Sequence, residues 1–214
     1  MTAVAILALL LFQTAPASGL RSLLGQTFDQ ARKALNEINT QQLRGQGLSP
    51  TQIQTAIARL KMPMINPATK VIILDTDNAG RGLIAVLSSN GLRPEQINLA
   101  FCARTDRIMA AQILLHADRR PETAALVDSL QTIYDLAGQV QFNGYGPSLK
   151  YPLAGISYTD DGHWIAGEGM EPVTVWSADN IESVFQPLSA NQALIGQLWI
   201  TDKTVARGCA EAER

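Results

Sequence analysis

Charge is scarce in this sequence. Asp, Glu, Lys and Arg make up 17% of its 214 residues and leave a net charge of -2, against about 25% charged residues in a typical soluble domain. Without a basic excess there is no electrostatic footprint for a phosphate backbone, and nucleic acid binding is not expected. Cysteine is nearly absent too. Cys102 and Cys209 stand far apart, which rules out a CxxC metal or redox motif. Two readings stay open for them: one long-range disulfide in an exported protein, or two buried thiols. The chain contains no GxSxG, P-loop, HExxH or dinucleotide-binding glycine set, so neither an enzyme, a cofactor nor a metal is expected. No internal repeat or low-complexity tract interrupts it.

Long apolar runs are short in supply as well. The longest, Met1 to Phe12, opens the chain in MTAVAILALLLFQTAPASG and falls below the roughly 20 residues of a transmembrane helix. It lacks the basic n-region of a secretory signal, although Ala15-Pro16-Ala17-Ser18 supplies small residues suited to signal-peptidase cleavage. The pattern does not stop there. Leu20, Leu23, Leu24, Phe28, Ala31, Leu35, Ile38 and Leu43 recur at steps near three and four, with Arg21, Gln26, Asp29, Gln30, Arg32, Lys33 and Glu37 between them. This spacing predicts an amphipathic helix to about Gln42 that continues the apolar head as one long element, kinked near Pro16 and Gly19. The expected organisation is a helix over 1–43, an apolar segment plus amphipathic stem, and a globular head over 44–214.

Further along, Ser49-Pro50 predicts a capped short helix with Ile53, Ala56, Ile57 and Leu60 on one face. Val71 to Leu74 reads as a strand. Asp77 to Gly82 is turn chemistry, and Leu83 to Leu87 a second strand, so a hairpin is the economical assignment. Pro94-Glu95 predicts a helix through Phe101, continued by Ile108 to Leu115, and Pro121-Glu122-Thr123 opens another to Gly138. In the last third, Ala154 to Tyr158, His163 to Ala166, Val173 to Trp176 and Leu194 to Thr201 read as strands. The order of elements predicts an α+β fold with an antiparallel sheet packed on the first helix.

Two stretches gather acids. VIILDTDN, with Asp75 and Asp77, resembles the first motif of haloacid-dehalogenase-type phosphatases, and IAVLSSNG, ending at Ser88, resembles their second. The spacing opposes this, because parallel neighbouring strands need a crossover of a dozen or more residues. Asp75 and Asp77 are expected at a hairpin turn. Tyr158-Thr159-Asp160-Asp161-Gly162-His163 has residue types that bind metals, yet Asp-Asp-Gly between strands is first a turn. Trp164, Trp176 and Trp199 fall in expected strands and are read as packing residues.

In order and placement, most of the chain resembles a type IV pilin of the b class, such as the major subunit of the toxin-coregulated pilus. Met1-Thr2 followed by aliphatics is similar to a mature b-class N-terminus, Leu20 to Gln42 to the amphipathic half of the pilin spine, and Ser49 to Lys61 to the small helix after it. Asn66-Pro67, Val71 to Ser88, Gly91-Leu92-Arg93-Pro94-Glu95-Gln96, Cys102 and Cys209 resemble the family's core and its disulfide. The resemblance implies a filament subunit that polymerises with identical subunits through its apolar helix. The assembly residues would be Met1, Ala5, Ile6, Leu9, Leu10, Phe12, Pro16, Leu20, Leu24 and Phe28, with the Met1 amine methylated. It also implies inner-membrane anchoring before assembly, an extracellular pilus afterwards, and roles such as adhesion or conjugation. One departure stands out. The family usually has Glu at its fifth residue, neutralising a neighbour's N-terminal amine, and here that residue is Ala5; the head is also interrupted by Gln13. The alternative is a soluble periplasmic or secreted binding domain with a signal cleaved after about Ala17.

Overall fold

The computed structural model describes residues 16–89, 91–119, 121–137, 139–143, 156–158, 164–166, 173–188 and 194–211. The fold is α+β. A seven-stranded sheet has the order β1-β2-β3-β9-β8-β7-β4, and every neighbouring pair is antiparallel. Its strands are β1 (Val71–Leu74), β2 (Leu92–Phe101), β3 (Ile108–Ala117), β4 (Gln139–Asn143), β7 (Val173–Ala178), β8 (Ile181–Pro187) and β9 (Leu194–Asp202). β5 (Ile156–Tyr158) and β6 (Trp164–Ala166) pair separately. The last strand, β9, lies between β3 and β8, so it joins the early strands to the late ones.

Helices α1 (Pro16–Arg21), α2 (Phe28–Gly45), α4 (Arg81–Leu87) and α5 (Thr123–Ile133) contribute to a core on one sheet face. Leu20, Leu23, Ala31 and Leu35 from the N-terminal helices, Leu83 and Leu87 from α4, and Leu126 and Leu130 from α5 meet Ile97, Ile113, Phe185 and Leu198 of the sheet there. Each such leucine, isoleucine or phenylalanine contributes roughly 1.5–3 kcal/mol by leaving water. Among the described residues no helix is long and apolar enough to cross a membrane.

The single long helix expected from Leu20 to Gln42 is two helices. Pro16 opens α1 and Gly19 lies inside it, so the expected kink falls elsewhere, between Ser22 and Thr27. Two backbone bonds tie this break to β3: Gly25 N–H to Ile108 O at 2.7 Å, and Ile108 N–H to Gln26 O at 2.8 Å. Gly25 has φ +74°, a conformation that ends helices and favours glycine. Thr27 then restarts the chain with a capping box, exchanging bonds with Gln30.

The expected hairpin is also corrected. Leu83 to Leu87 lies in α4, with Leu83, Ile84 and Leu87 buried at helical spacing; a short apolar run does not by itself separate strand from helix. α2 crosses this helix closely at Gly82, where an added Cβ would come within 2.7 Å of Asn39 Oδ1. Asn39, 1% exposed, accepts from Gly82 N–H and donates to Ala79 O and Leu35 O.

The helices expected over Pro94 to Phe101 and Ile108 to Leu115 are strands β2 and β3. Pro94, read as a helix start, occupies a register shift between Pro94 and Gln96, the irregularity where a strand tolerates proline. The Ser49-capped helix is present as α3 (Pro50–Arg59) with its own capping box, and β5, β6, β7 and β9 fall in the expected strand segments. Strands β4 and β8 and helix α6 (Lys203–Glu211) are not among the elements expected from the sequence. The free edge of β1 is closed locally, since Val71 O accepts from Asn66 N–H and Ile73 O from Asn78 Nδ2, a usual defence against unwanted strand pairing.

Candidate functional site

Cys102, just past β2, is bonded to Cys209 on α6 with a Cα–Cα distance of 5.7 Å. The other cysteine reading, two buried thiols, is thereby set aside. The bridge closes a separation of 107 residues and holds the C-terminal helix to the sheet. Asp202 caps that helix, its Oδ1 accepting from Thr204 and Val205 N–H.

Of the residues expected in an assembly helix, Met1, Ala5, Ile6, Leu9, Leu10 and Phe12 lie outside the described residues. Pro16 opens α1. Leu20 is 1% exposed within the core, Leu24 and Phe28 are half-buried against it, and the Phe28 ring lies 6.2 Å from that of Phe101. Leu20 therefore serves the fold of its own domain.

A groove of about 590 Å³ opens between the end of α2, the β1–α4 turn, α4 and the start of β2. Its walls include Gln42, Asp77, Arg81, Ser88, Arg93 and Glu95, with Ile84 and Pro94 as apolar lining. Arg93 is 3.9 Å from Glu95 and its Nε is 3.4 Å from His116 Nδ1. Arg81 and Asp77 form no ion pair among the described residues. The groove thus presents charges of both signs to solvent.

This geometry revises the reading of the acids. Asp77 and Ser88, which a hairpin would set at opposite ends of its strands, line the same groove, because a helix and not a second strand joins them. Asp75 does not join them there. Its Oδ1 accepts from Asp77 N–H at 2.8 Å, and its own N–H is held by Asn78 Oδ1. Ser88 Oγ donates to Ile84 O at 2.7 Å. These are the bonds of a turn and a helix end. The segment Asp160 to His163 lies outside the described residues; Tyr158 and Trp164 on either side pair as β5 and β6. Among the described residues no three His, Cys, Asp or Glu cluster in a way that would hold a metal.

The sheet face away from the core carries a feature that no motif announced. Gln96 Nε2 donates to Asn98 Oδ1, Asn98 Nδ2 to Gln112 Oε1, Gln112 Nε2 to Gln197 Oε1, and Gln197 Nε2 to Gln186 Oε1, at 2.6–2.8 Å. This ladder of amides crosses β2, β3, β9 and β8. Farther along the same face, Glu182 opposes Ser177 and Thr201 in register. It is 3% exposed and its Oε1 has no hydrogen-bond partner among the described residues. Burial lifts its pKa to about 7, against the Lys203 ammonium, which lowers it. Lys203 Nζ donates to Ser177 Oγ at 3.1 Å, the opposite of what deprotonating a serine requires. Trp176 and Trp199, each 1% exposed, are packing residues as expected; the side chain of Trp164 lies outside the described residues.

Comparison with protein-family models, with curated proteins and with solved structures finds no match to this chain.

Proposed function

We propose that this chain is a structural subunit of a type IV pilus-like filament, anchored in the inner membrane through its apolar N-terminal segment and later polymerised through it with identical subunits. The observation that carries the reading is the junction at Pro16. The apolar run of Met1 to Phe12 leads, with no long linker, into helices that belong to the core of an antiparallel domain. An apolar segment joined this closely to a folded head has two stable homes, a bilayer or a bundle of like segments. A repeated heterologous contact between such heads gives a filament. The Cys102–Cys209 bridge suits an extracellular location, where disulfides persist. The break between α1 and α2 departs from a continuous pilin spine, as Ala5 departs from the family's glutamate.

The alternative, a soluble exported binding domain with its leader removed near Ala17, is supported by the same junction: Leu20 and Leu23, the first buried core residues described, lie just past that cleavage point. Electron microscopy of the producing cells, with antibody to the globular head, separates the two. Labelled surface filaments are expected. Label confined to the periplasm or medium, with no filaments, would overturn the proposal.

A further inference from the structure

One wall of the polar groove is a single helix face. Arg81, Ile84, Ala85 and Ser88 stand at i, i+3, i+4 and i+7 along α4 and its C-cap, so at about 1.5 Å per residue the wall runs about 10 Å. The frame behind it is fixed by contacts that leave the groove side chains alone. Asn39 ties α2 to the turn before α4, donating to Ala79 O and accepting from Gly82 N–H. Asn78 ties that turn to β1, donating to Ile73 O and accepting from Asp75 N–H. Within this frame Asp77 and Arg81 line one space, four residues apart, and neither forms an ion pair among the described residues. Arg93 and Glu95 meet only at 3.9 Å, with side chains 54% and 57% exposed, and such a pair is weak enough for a ligand to replace. The groove thus carries two positive and two negative groups beside the buried Ile84 and Pro94.

We propose that the groove binds a small zwitterion of the α-amino acid or short-peptide class. Arg81 takes the carboxylate, since its fork of donors matches two carboxylate oxygens. Asp77 takes the ammonium, Arg93 and Glu95 reinforce the two signs, and Ile84 and Pro94 pack against the apolar part. The balance of charge selects this class. An anion alone meets repulsion from Asp77 and Glu95, a cation alone meets it from Arg81 and Arg93, and a neutral zwitterion with both groups meets neither. The volume of about 590 Å³ lies inside the range of about 300–1,000 Å³ common to small-molecule sites. Because the walls are fixed before a ligand arrives, little ordering opposes binding. This ligand is independent of assembly: a filament subunit and a soluble exported domain carry the same groove.

The test is a titration of the full chain, disulfide intact, in detergent micelles, followed by amide NMR. The probe is the dipeptide Ala-Ala. It is expected to shift the signals of Asp77, Arg81 and Ser88 and to saturate them below about 10 mM. Blocking either charge, as N-acetyl-Ala-Ala or as Ala-Ala-amide, is expected to weaken binding about tenfold, the loss of one charge-assisted contact. The variants cross with the blocked probes. Arg81→Gln is expected to weaken Ala-Ala about tenfold and leave Ala-Ala-amide unchanged, and Asp77→Asn to weaken Ala-Ala equally and leave N-acetyl-Ala-Ala unchanged. Both replaced side chains lie on the surface, and a parent-like spectrum verifies that each variant is folded. Free alanine as a second probe tells the sources apart: binding tighter than that of Ala-Ala assigns a free amino acid, and weaker binding assigns a peptide. No shift at these residues with Ala-Ala up to about 10 mM, blocked probes that bind as tightly as Ala-Ala, or shifts unchanged in both folded variants overturn the proposal.

Discussion

On one face of β9, Leu198 and Ile200 are fully buried against helices; on the other, Gln197 and Thr201 are nearly as buried. The first face is held by area and close packing, with α1, α2, α4 and α5 supplying aliphatic cover. The second mixes the buried Trp199 and Val184 side chains with polar groups, and there the amide ladder hands a donor from strand to strand from Gln96 to Gln186. Equal burial thus hides opposite energetics. A truncation on the apolar face loses contacts and leaves a void, whereas one on the polar face leaves a partner without its bond. On this face Thr201 Oγ1 and Glu182 Oε1 have no hydrogen-bond partner among the described residues, and at Glu182 the fold becomes sensitive to pH.

The sharpest way to test this contrast is Leu198→Ala. It should lower stability by about 3 kcal/mol, within the 2–5 of similar core truncations, read from the urea midpoint at unchanged m-value. Cys209→Ser should come next, at about 2–4 kcal/mol. Its thermal midpoint should match that of the reduced parent chain, and equal midpoints for the parent with and without reductant would show that the bridge contributes nothing. On the polar face Gln112→Met, similar in length but without the amide, should lose about 1–2 kcal/mol, because the buried Gln197 Oε1 loses its donor. A loss as large as that of Leu198→Ala would erase the distinction between the faces.

Glu182 supplies the pH dependence. Its folded pKa, about 7, lies above the ordinary value of 4.5, so the folded state binds more protons than the unfolded chain between those values. Stability is therefore fullest below about pH 4.5 for this group, falls as pH rises toward 7, and is level above it. Allowing for solvent screening, the fall is about 1–2 kcal/mol. Glu182→Gln should flatten this part of the profile and raise stability at pH 8, as followed by urea unfolding across pH. The smallest effect belongs to Asp75→Asn, under about 1 kcal/mol, because Asn keeps an oxygen that can accept from Asp77 N–H.

Elements with local signals were legible in the sequence. α3 is announced by Ser49 and Pro50, and α5 by the segment after Pro121. β9 is legible because its aliphatic and aromatic residues run the length of a strand. What failed was decided by partners distant in sequence. Pro94 opens no helix because β2 pairs with β3 and absorbs the proline at a register shift. Leu83 to Leu87 is a helix because Asn39, forty residues away, fixes the turn before it. The spine inferred from the spacing of Leu20 to Leu43 is interrupted because Gly25 and Gln26 bond to Ile108. The groove is only half visible, in Asp77 and Ser88, since three separate segments build it. Arg81 and Arg93 belong to no motif, and the amide ladder consists of residues that look like solvated polar positions one at a time.

The most direct measurement on the central claim is mass spectrometry of the N-terminal peptide, on natural protein sheared from the cell surface. A filament subunit of this kind is expected to yield a chain beginning at Met1 with a methylated amine, its apolar segment retained in the filament. A mature chain beginning near Ser18 would contradict it and make this a soluble exported domain.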